Sequence, residues 1–316
     1  MSLRRLGRTD IQVPAVVFGG NVFGWTADRA TSLSLLDRLA EAGLNAIDTA
    51  DVYSRWAPGH QGGESETIIG EWLKRSGKRA STTIITKVGS PMGDDKKGLS
   101  AAYIASACEA SLKRLGIETI DLYLAHVPDD SVAHEVTLEA FASLKKAGKI
   151  RWFGCSNYDA PRLRAALDAA AKAGLPRYEV LQPEYNLYDR ASFDGPLQDL
   201  CVAQEIGVIT YFSLAKGFLS GKYRSEADLG RSPRGGGVKA YLNPRGFRIL
   251  AALDEISAAR GAKPAEAALA WLAQARGVSS PIASATTLGQ LESLIAGSAL
   301  RLAPQDVARL EAASAA

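Results

Sequence analysis

Short apolar runs alternate with stretches of helical period along almost the whole chain, and this alternation constrains the fold more than any other feature. Repeated strand–helix units of this kind build parallel β-sheet. The eight runs that predict strands are VPAVVFGG from Val13, AIDTA from Ala46, TTIITKV from Thr82, IDLYLAH from Ile120, IRWFGCSN from Ile150, YEVLQPEYN from Tyr178, GVITYFSL from Gly207 and SSPIAS from Ser279. Eight units without a break in composition predict one closed (β/α)₈ barrel, the TIM-barrel architecture, rather than two open sheets. We therefore expect a single domain over residues 1–316.

Three segments fall outside the strand–helix units. LRRLGRTDIQV contains a Gly7-Arg8-Thr9-Asp10 turn between short alternating runs, which predicts an N-terminal β-hairpin before the barrel. LAPQDVARLEAAS has Pro304 near its start and helical spacing, which predicts a C-terminal extra helix. The longest connection runs from Lys222 to about Asn243 and contains RSPRGGGVK. A loop of this length inside a compact domain is usually either functional or mobile.

Charge and composition exclude several classes of function. The net charge is only +3, and Lys and Arg are scattered among acidic residues, which argues against a nucleic-acid partner. No run approaches the ~18 apolar residues of a membrane span, and MSLRRLGRTD has no apolar segment behind its charges. Cys108, Cys155 and Cys201 are too far apart for a metal or disulfide framework, so we interpret them as buried small hydrophobes. These features predict a cytoplasmic protein without a metal site or membrane association, and they leave its oligomeric state open.

Polar residues recur where the predicted strands end, which is where TIM barrels carry their chemistry. Asp48 ends the second strand and Tyr53 follows five residues later. Lys87 ends the third strand and His126 the fourth. Taken singly, each has an ordinary structural explanation: a turn cap, a packed ring, a lysine that extends to solvent or a structural histidine. Four such residues at or just past successive strand ends predict a catalytic site.

The four residues make chemical sense as a unit. A tyrosine hydroxyl has a pKa near ~10, and a nearby ammonium stabilises its phenolate, so we expect Lys87 to lower the pKa of Tyr53. Asp48 would hold Lys87 charged and in place. His126 would donate a hydrogen bond to a substrate carbonyl or relay a proton.

At these residues the chain resembles the aldo-keto reductase family, and the resemblance extends over almost all of its length. The segments that carry the resemblance are RRLGRTDIQVPAVVFGG, NAIDTADVY, ESETIIGEWLK, ITKVG, RLGIETIDLYLAH, GKIRWFGCSN, LQPEYNLYDR, FSLAKGFLSGKY and ALAWL. AIDTADVY is similar to the family's signature around its catalytic acid and tyrosine. The resemblance implies that Asp48, Tyr53, Lys87 and His126 are the catalytic tetrad of a nicotinamide-dependent oxidoreductase.

The resemblance also implies how the cofactor binds, since no run here matches the G-x-G-x-x-G fingerprint of dinucleotide-binding folds. Ser156, Asn157 and Gln182 match the family's residues for the nicotinamide carboxamide, and Tyr211 matches the ring that stacks on the nicotinamide. The residues that match the segment covering the phosphates are Leu214, Gly217, Leu219 and Lys222.

The chain departs from the family after the eighth strand. The usual pattern has a Gly, then an Arg or Lys that pairs with the 2′-phosphate of NADPH, and later an Asn near the adenine. Here Ser284, Thr286 and Leu294 stand at those places, while Gln290 matches another adenine-side position. NADP(H) remains favoured and NAD(H) possible. One hypothesis is that a cation of the long loop replaces the missing one, the candidates being Arg231, Arg234 and Lys239.

Substrate-binding residues are expected around the barrel mouth. The residues predicted to border it are Phe23, Trp25, Trp56, Val127 and Pro128. Since the RWAPGHQGGE loop from Arg55 contains no clear anion clamp, we expect small aldehydes or ketones rather than phosphorylated sugars. Two alternatives stay open: an NAD-dependent sugar or alcohol dehydrogenase working oxidatively, and a non-catalytic cofactor-binding subunit, since the family extends to potassium-channel β subunits and lens crystallins.

Overall fold

Eight parallel strands form a closed barrel in the computed structural model, which describes residues 3–315. The barrel strands are β3 (Val17–Gly19), β4 (Ala46–Asp48), β5 (Thr83–Val88), β6 (Ile120–Ala125), β7 (Ile150–Ser156), β8 (Val180–Gln182), β9 (Gly207–Thr210) and β10 (Ser280–Ala283). Neighbours in the chain are neighbours in the barrel, and β10 pairs with β3 to close it. The predicted TIM-barrel fold is confirmed.

Ten helices are found among residues 3–315. They are α1 (Arg29–Glu41), α2 (Glu64–Ser76), α3 (Ala101–Leu115), α4 (His134–Lys146), α5 (Ala160–Ala173), α6 (Pro196–Ala203), α7 (Pro244–Arg260), α8 (Pro264–Gln274), α9 (Leu288–Ala299) and α10 (Pro304–Ser314). Local sequence sets their ends: the side chains of Asp28, Ser100 and Asp159 cap the first turns of α1, α3 and α5. Gly77 and Gly116, both in the left-handed region, end α2 and α3.

Two apolar layers hold the barrel together. Strands such as β6 are buried along their whole length, because one face points into the barrel and the other meets the helices. The inner layer consists of side chains such as Ile85, Leu122, Val180 and Ile209, which fill the barrel interior. A larger outer layer lies between strands and helices, so the chemistry is confined to the ends of the barrel.

The predicted β-hairpin, formed by β1 (Arg4–Arg5) and β2 (Gln12–Val13), closes the amino-terminal end of the barrel. Leu6, Ile11 and Val13 join the inner apolar layer and are at most 2% exposed. Gly7 has a φ of 57° and lies so close to the backbone of Gly207 that a Cβ atom would collide with it. Only glycine meets both demands without strain.

Proline explains where the observed strands are shorter than the predicted ones. The first run was expected to begin at Val13, yet Pro14 interrupts it, so Val13 pairs with Arg4 in the hairpin and the barrel strand begins at Val17. In the same way β8 ends at Gln182, just before Pro183.

The connection between β9 and β10 holds more structure than the sequence predicted. Three short 3₁₀ segments, Ala215–Ser220, Glu226–Arg231 and Gly235–Tyr241, precede the two helices α7 and α8. The segment from Lys222 to Asn243 is therefore largely structured. The predicted C-terminal extra helix is α10, which packs against α7.

All three cysteines are buried and free, as expected, and burial raises the pKa of the Cys108 and Cys201 thiols to about 12. No helix within residues 3–315 is long and apolar enough to cross a membrane. The same residues contain no group of three or more His, Cys, Asp or Glu side chains placed to hold a metal ion.

Candidate active site

The carboxyl ends of β4, β5 and β6 bring the four residues predicted as catalytic into one cluster. The Lys87 ammonium donates to Asp48 Oδ2 at 2.8 Å, to the Thr49 carbonyl at 2.7 Å and to the Tyr53 hydroxyl at 3.2 Å. The ring of His126 lies edge-on to the ring of Tyr53, with centroids 5.9 Å apart. Residues separated by up to 78 positions in the chain thus meet at the mouth of the barrel.

Hydrogen bonds to the surrounding backbone fix the loop that carries Tyr53. The Tyr53 carbonyl accepts from the amide of Gly63 at 2.8 Å, and the hydroxyl of Ser54 donates to the Phe23 carbonyl at 2.8 Å. Behind the loop, Thr49 donates to Ser65, which donates to the Gly20 carbonyl. Hydrogen bonds therefore connect the loop that carries Tyr53, which follows β4, to the segment that follows β3.

Asp48 and Lys87 form a buried ion pair. Their side chains are 3% and 0% exposed. Burial alone lowers the pKa of Lys87, but the Asp48 carboxylate and the Tyr53 hydroxyl outweigh burial, and the net pKa lies above its ordinary value. Because all three ammonium hydrogens have acceptors, Lys87 is a fixed cation at neutral pH. Burial raises the pKa of Asp48, against the pull of Lys87 and Gln182.

Tyr53 shows the opposite pKa shift from the one expected of it. Burial, assisted by the negative charge of Asp48, raises the pKa of Tyr53 above its ordinary value, although Lys87 and Arg234 pull it down. The sequence predicted only the effect of the lysine. It did not reveal how deeply the hydroxyl is buried, so the expected depression of the pKa was wrong. Tyr53 is protonated at neutral pH.

His126 is neutral at the same pH. Burial, reinforced by the charge of Lys87, holds its pKa well below the usual range. Its backbone amide donates to the Val88 carbonyl, which fixes the residue directly after β6. The Nδ1 atom is buried and has no hydrogen-bond partner among the described residues. A neutral imidazole carries one N–H donor and one acceptor nitrogen.

The residues predicted for the nicotinamide carboxamide are connected directly to this cluster. Gln182 donates from Nε2 to Asp48 Oδ1 at 2.8 Å, and Ser156 donates to the Gln182 carbonyl at 2.8 Å. Asn157 donates to the His126 carbonyl at 2.8 Å and accepts from the Tyr211 hydroxyl at 2.7 Å. The ends of β7, β8 and β9 are thus joined to those of β4 and β6 by polar side chains.

The segment predicted to cover the phosphates has an unusual backbone. Phe212, Ala215, Lys216 and Gly217 have positive φ values of 51°, 46°, 57° and 99°. Successive residues of left-handed conformation turn their amide groups into a concave surface that suits an anion. Lys216 and Lys222 lie over the rings of Phe212 and Tyr223 and form no salt bridge within residues 3–315. The amides of Ala215 and Gly217 already donate to the Phe212 and Leu214 carbonyls, at 2.7 and 2.8 Å, so the groups available to the phosphates of a dinucleotide are the two unpaired cations and the other amides of the segment.

The other two residues predicted for this segment differ in exposure. Leu219 is fully buried in the outer apolar layer, and its amide donates to the Leu214 carbonyl at 3.2 Å. Its side chain therefore supports the segment from behind rather than facing a ligand. Leu214 is half-buried and packs on the same layer.

The residues predicted for the adenine side lie after β10. Ser284 donates to Asn21 Oδ1 at 2.6 Å. The amide and hydroxyl of Thr286 both donate to Gln290 Oε1, at 2.9 and 3.1 Å. The polar groups available on this side are therefore hydroxyl groups and the first turn of α9. The nearest charged residue along the chain, Glu292, is already paired with Arg38.

An aromatic rim surrounds Tyr53. Trp56 lies edge-on to Tyr53 at a centroid distance of 5.5 Å, and Trp25 lies edge-on to Trp56 at 5.7 Å. Trp56 is 46% exposed, and Val127 is half-exposed beside His126. Phe23 differs: it is fully buried and stacks on Phe18, so its predicted place on the substrate surface was wrong. The sequence does not show which side chains after β3 turn inward.

The three cations of the long loop have different surroundings. Arg231 pairs with Asp228 at 2.8 Å and Lys239 with Glu226 at 3.1 Å. Arg234 instead lies over the ring of Trp25, 5.3 Å from its centroid, and has no salt bridge to any residue from 3 to 315. Only Arg234 among the three brings a free cation to the aromatic rim.

One buried acid beside the site was absent from the predicted set. Asp51 is 1% exposed, and neither carboxylate oxygen has a hydrogen-bond partner among the described residues. Burial and the neighbouring charge of Glu66 raise the pKa of Asp51 to about 8. The second acid of AIDTADVY was the only available signal, and sequence alone does not separate it from a solvent-exposed loop residue.

Comparison with known proteins identifies the family. A model described as the aldo/keto reductase family matches residues 15–315. The chain is 30% identical to Protein tas of Escherichia coli (strain K12), with 99% of this chain and 97% of that protein aligned. It is 32% identical to the probable voltage-gated potassium channel subunit beta of Arabidopsis thaliana, covering 92% and 89% of the two chains. It is 30% identical to the uncharacterized oxidoreductase YrpG of Bacillus subtilis (strain 168), covering 93% and 90%.

The chain therefore belongs to the aldo/keto reductase family, and the resemblance noted in the sequence is confirmed. Membership identifies an oxidoreductase that uses a nicotinamide cofactor and acts on small carbonyl compounds. The individual roles of the clustered side chains are a separate question, and the geometry above is the basis for assigning them.

Proposed function

We propose that this protein reduces small aldehydes or ketones to alcohols with NADPH, and that Tyr53 is the general acid. The observation that carries this proposal is the buried arrangement in which Lys87 bridges Asp48 and the Tyr53 hydroxyl. A hydroxyl at 3.2 Å from a fixed ammonium at the barrel mouth is placed to give a proton to a carbonyl oxygen.

When bound, the nicotinamide cofactor supplies the hydride. The chain would hold its carboxamide with Ser156, Asn157 and Gln182 and would stack Tyr211 on its ring. Two of these side chains are already oriented, because Asn157 and Tyr211 share a hydrogen bond of 2.7 Å. Because these groups are oriented before the cofactor binds, less conformational entropy is lost on binding.

Tyr53 is suited to the reducing direction because it enters the reaction protonated. Its raised pKa keeps the proton on the hydroxyl throughout the neutral range. As the proton leaves for the substrate oxygen, the developing phenolate lies beside the Lys87 ammonium, which stabilises it. Asp48 keeps that ammonium in position, so its role is to orient Lys87 rather than to exchange a proton.

His126 would act as a hydrogen-bond donor to the carbonyl oxygen. Its lowered pKa makes the imidazole neutral, and a neutral imidazole offers one N–H without competing with Tyr53 as an acid. Two donors from facing strand ends fix the direction of the carbonyl. Trp25, Trp56 and Val127 would enclose the rest of the substrate.

NADPH is proposed as the favoured cofactor although Thr286 replaces the usual cation. Ser284, the Thr286 hydroxyl and the start of α9 offer hydrogen bonds to a phosphate, with Gln290 on the adenine side. Leu214, Gly217, Leu219 and Lys222 would form the cover over the phosphates. NAD(H) is the alternative, since no Arg or Lys lies in residues 284–294.

A second candidate function is regulatory rather than catalytic. The similarity to a protein named as a potassium channel β subunit favours it. Such a protein would bind the cofactor and leave it unconsumed. A third candidate, an NAD-dependent sugar or alcohol dehydrogenase working oxidatively, uses the same cluster with Tyr53 as the base.

The test compares the wild-type protein with a Tyr53→Phe variant. Initial rates of NADPH and NADH oxidation are measured with a panel of neutral aldehydes and ketones, and the reverse rates with alcohols and sugars. We expect Tyr53→Phe to lower turnover by roughly 10²- to 10⁴-fold, the usual contribution of a general acid. A cofactor-fluorescence titration should give the same affinity for both proteins.

Tyr123→Phe is the matched control, because Tyr123 is fully buried and its hydroxyl has no hydrogen-bond partner among the described residues. Its turnover should match the wild type. Full turnover in Tyr53→Phe would rule out the acid assigned here. A wild-type protein that binds NADPH but consumes none with any substrate would support the regulatory candidate instead.

A further inference from the structure

Arg234 is the one charged side chain of the aromatic rim whose surroundings the proposed reaction does not explain. Its guanidinium lies over the Trp25 ring, 5.3 Å from the centroid. The Nη2 atom is buried, and the side chain makes no hydrogen bond or salt bridge within residues 3–315. A buried guanidinium nitrogen without an acceptor is costly, so it calls for a ligand that supplies one.

The neighbouring cations of the loop show that this isolation is specific. Arg231 pairs with Asp228 and also donates to the Lys222 carbonyl at 2.9 Å. Arg224 forms two hydrogen bonds of 2.8 Å with Asp254. These arginines neutralise acids of their own segment or of α7. Arg234 is the loop arginine that is left free, and it is also the most buried of the three.

The position of Arg234 connects it to the substrate side of Tyr53. Trp25 contacts Trp56, and Trp56 contacts Tyr53, so an unbroken row of rings leads from the guanidinium to the reacting hydroxyl. The charge of Arg234 also lowers the pKa of Tyr53, so the guanidinium acts electrostatically on the hydroxyl at the end of this row.

Glycines permit this placement. Arg234 immediately precedes Gly235-Gly236-Gly237. A Cβ atom on Gly235 would collide with the backbone of Leu229, and one on Gly237 would lie 3.2 Å from the Lys216 side chain. The segment can therefore pack closely over the mouth and carry the arginine inward.

We propose that Arg234 binds an anionic group on the substrate, so that the enzyme prefers carbonyl compounds that also carry a carboxylate. This inference rests on the proposed function and narrows its substrate class. A guanidinium stacked on an indole keeps its N–H edge free, and that edge matches the two oxygens of a carboxylate. The apolar rim would hold the carbon skeleton between the carboxylate and the carbonyl.

A second ligand could supply the anionic group that Arg234 binds, because the cofactor also carries anionic phosphate oxygens. The row of rings favours the substrate, since it leads to Tyr53. Tyr223, next to Lys222 in the chain, is the other group whose charge acts on Arg234, so the experiment must distinguish the two sources. The two sources differ in which kinetic constant depends on the arginine: a substrate carboxylate affects the KM of the aldehyde, and a cofactor phosphate affects the KM of NADPH.

The experiment compares 4-carboxybenzaldehyde with its neutral methyl ester in the wild-type, Arg234→Met and Arg234→Lys proteins. We expect Arg234→Met to lower kcat/KM for the carboxylate by roughly 10- to 100-fold, the size of a lost charge-assisted hydrogen bond. The loss should lie mainly in KM and should be far larger for the carboxylate than for the ester, whose rate should change only through the loss of the Arg234 charge near Tyr53. Arg234→Lys should restore part of the preference, because it keeps the charge but not the planar fork.

Arg224→Met is the matched control, because it removes an exposed, ion-paired arginine of the same loop. It should keep the wild-type ratio between the two aldehydes. Equal losses with acid and ester in Arg234→Met would overturn the inference. An NADPH KM raised tenfold with an unchanged ratio between aldehydes would assign the arginine to the cofactor instead.

A binding measurement separates this inference from the proposed function. Calorimetric titration of 4-(hydroxymethyl)benzoate and its methyl ester, in the presence of NADP⁺, requires no turnover. Tighter binding of the carboxylate that disappears in Arg234→Met would support the site even if the wild type reduced neither aldehyde. Equal binding of acid and ester to the wild type would reject the site while leaving the reduction of neutral aldehydes intact.

Discussion

A buried aspartate lies near each end of the barrel, and the two have very different surroundings. Asp121, at the hairpin end, accepts from Arg151 at 2.8 Å and from the amide of Ile84 at 2.9 Å, and it forms a salt bridge with Arg79 at 3.0 Å. Asp51, at the mouth, has no hydrogen-bond partner within residues 3–315. Both side chains are almost entirely buried.

The difference extends to the surroundings of each aspartate. In the hairpin turn Thr9 donates to the Leu6 carbonyl, and Asp10 accepts from Arg151 and from the Trp152 indole. At the mouth, His126 Nδ1 and Arg234 Nη2 are buried without partners. Satisfied polar groups stabilise a fold, whereas unsatisfied ones at a mouth are available to ligands. The polar groups around Asp121 therefore stabilise the fold, whereas those around Asp51 leave the mouth less stable and available for chemistry.

The largest expected effect is on activity at the mouth. Lys87→Met should lower turnover by roughly 10²- to 10⁴-fold, because the Tyr53 phenolate loses the cation that stabilises it. Turnover is measured with the best aldehyde found for the wild type, and cofactor binding by fluorescence titration. The variant also leaves Asp48 buried without its counter-ion, so an Asp48→Asn/Lys87→Met protein is the control for folding. If the double variant regained activity along with stability, the lysine would have only a structural role.

At the hairpin end the expected effect is on stability alone. Asp121→Asn should lower the free energy of unfolding by about 2–4 kcal/mol, because it leaves one side of a buried ionic network unpaired. Both arginines are partly exposed, and solvent screening keeps the loss at the lower end of that range. Urea unfolding measures the loss, and kcat of the folded protein should equal that of the wild type. A changed kcat would contradict the separation between the two ends.

The effect expected at Asp51 has the opposite sign and depends on pH. Asp51 has a folded-state pKa of about 8, above its unfolded value, so the folded state binds the extra proton. Stability is therefore lost as pH rises from about 4 to 8, by at most ~1.4 kcal/mol per pH unit. Asp51→Asn should remove this dependence and raise the melting temperature more at pH 8 than at pH 5. Equal shifts at both pH values would show that proton uptake by Asp51 on folding does not contribute to stability between pH 5 and pH 8.

Much of the fold could be predicted from the sequence, because strand–helix alternation is a local pattern. The hairpin, all eight barrel strands and the helix α10 follow from runs of residues that can be read one at a time. The helical pattern predicted between β9 and β10 is observed as two helices, α7 and α8. The 3₁₀ segments that precede them were not predicted, because a connection rich in glycine and charge gives no clear period. Pro14 and Pro183 decided where strands begin or end.

The residues of the candidate site could be predicted from the sequence, but their pKa values and their burial could not. Asp48, Lys87 and His126 could be assigned because strand ends converge in any barrel of this kind. The pKa of Tyr53 depends on burial, and burial arises from distant segments. Phe23 was misplaced for the same reason. The choice among Arg231, Arg234 and Lys239 required the positions of their acidic neighbours.

The three buried cysteines have a consequence for the chemistry proposed here. Aldehydes are electrophiles, and they add readily to exposed thiolates. Cys108, Cys155 and Cys201 are all buried and free, and burial raises the pKa of each thiol. Since the sequence holds only these three cysteines, the folded protein presents no reactive thiolate to its substrates. The burial of all three sulfur atoms thus protects the folded protein from the addition of aldehydes to its own thiols.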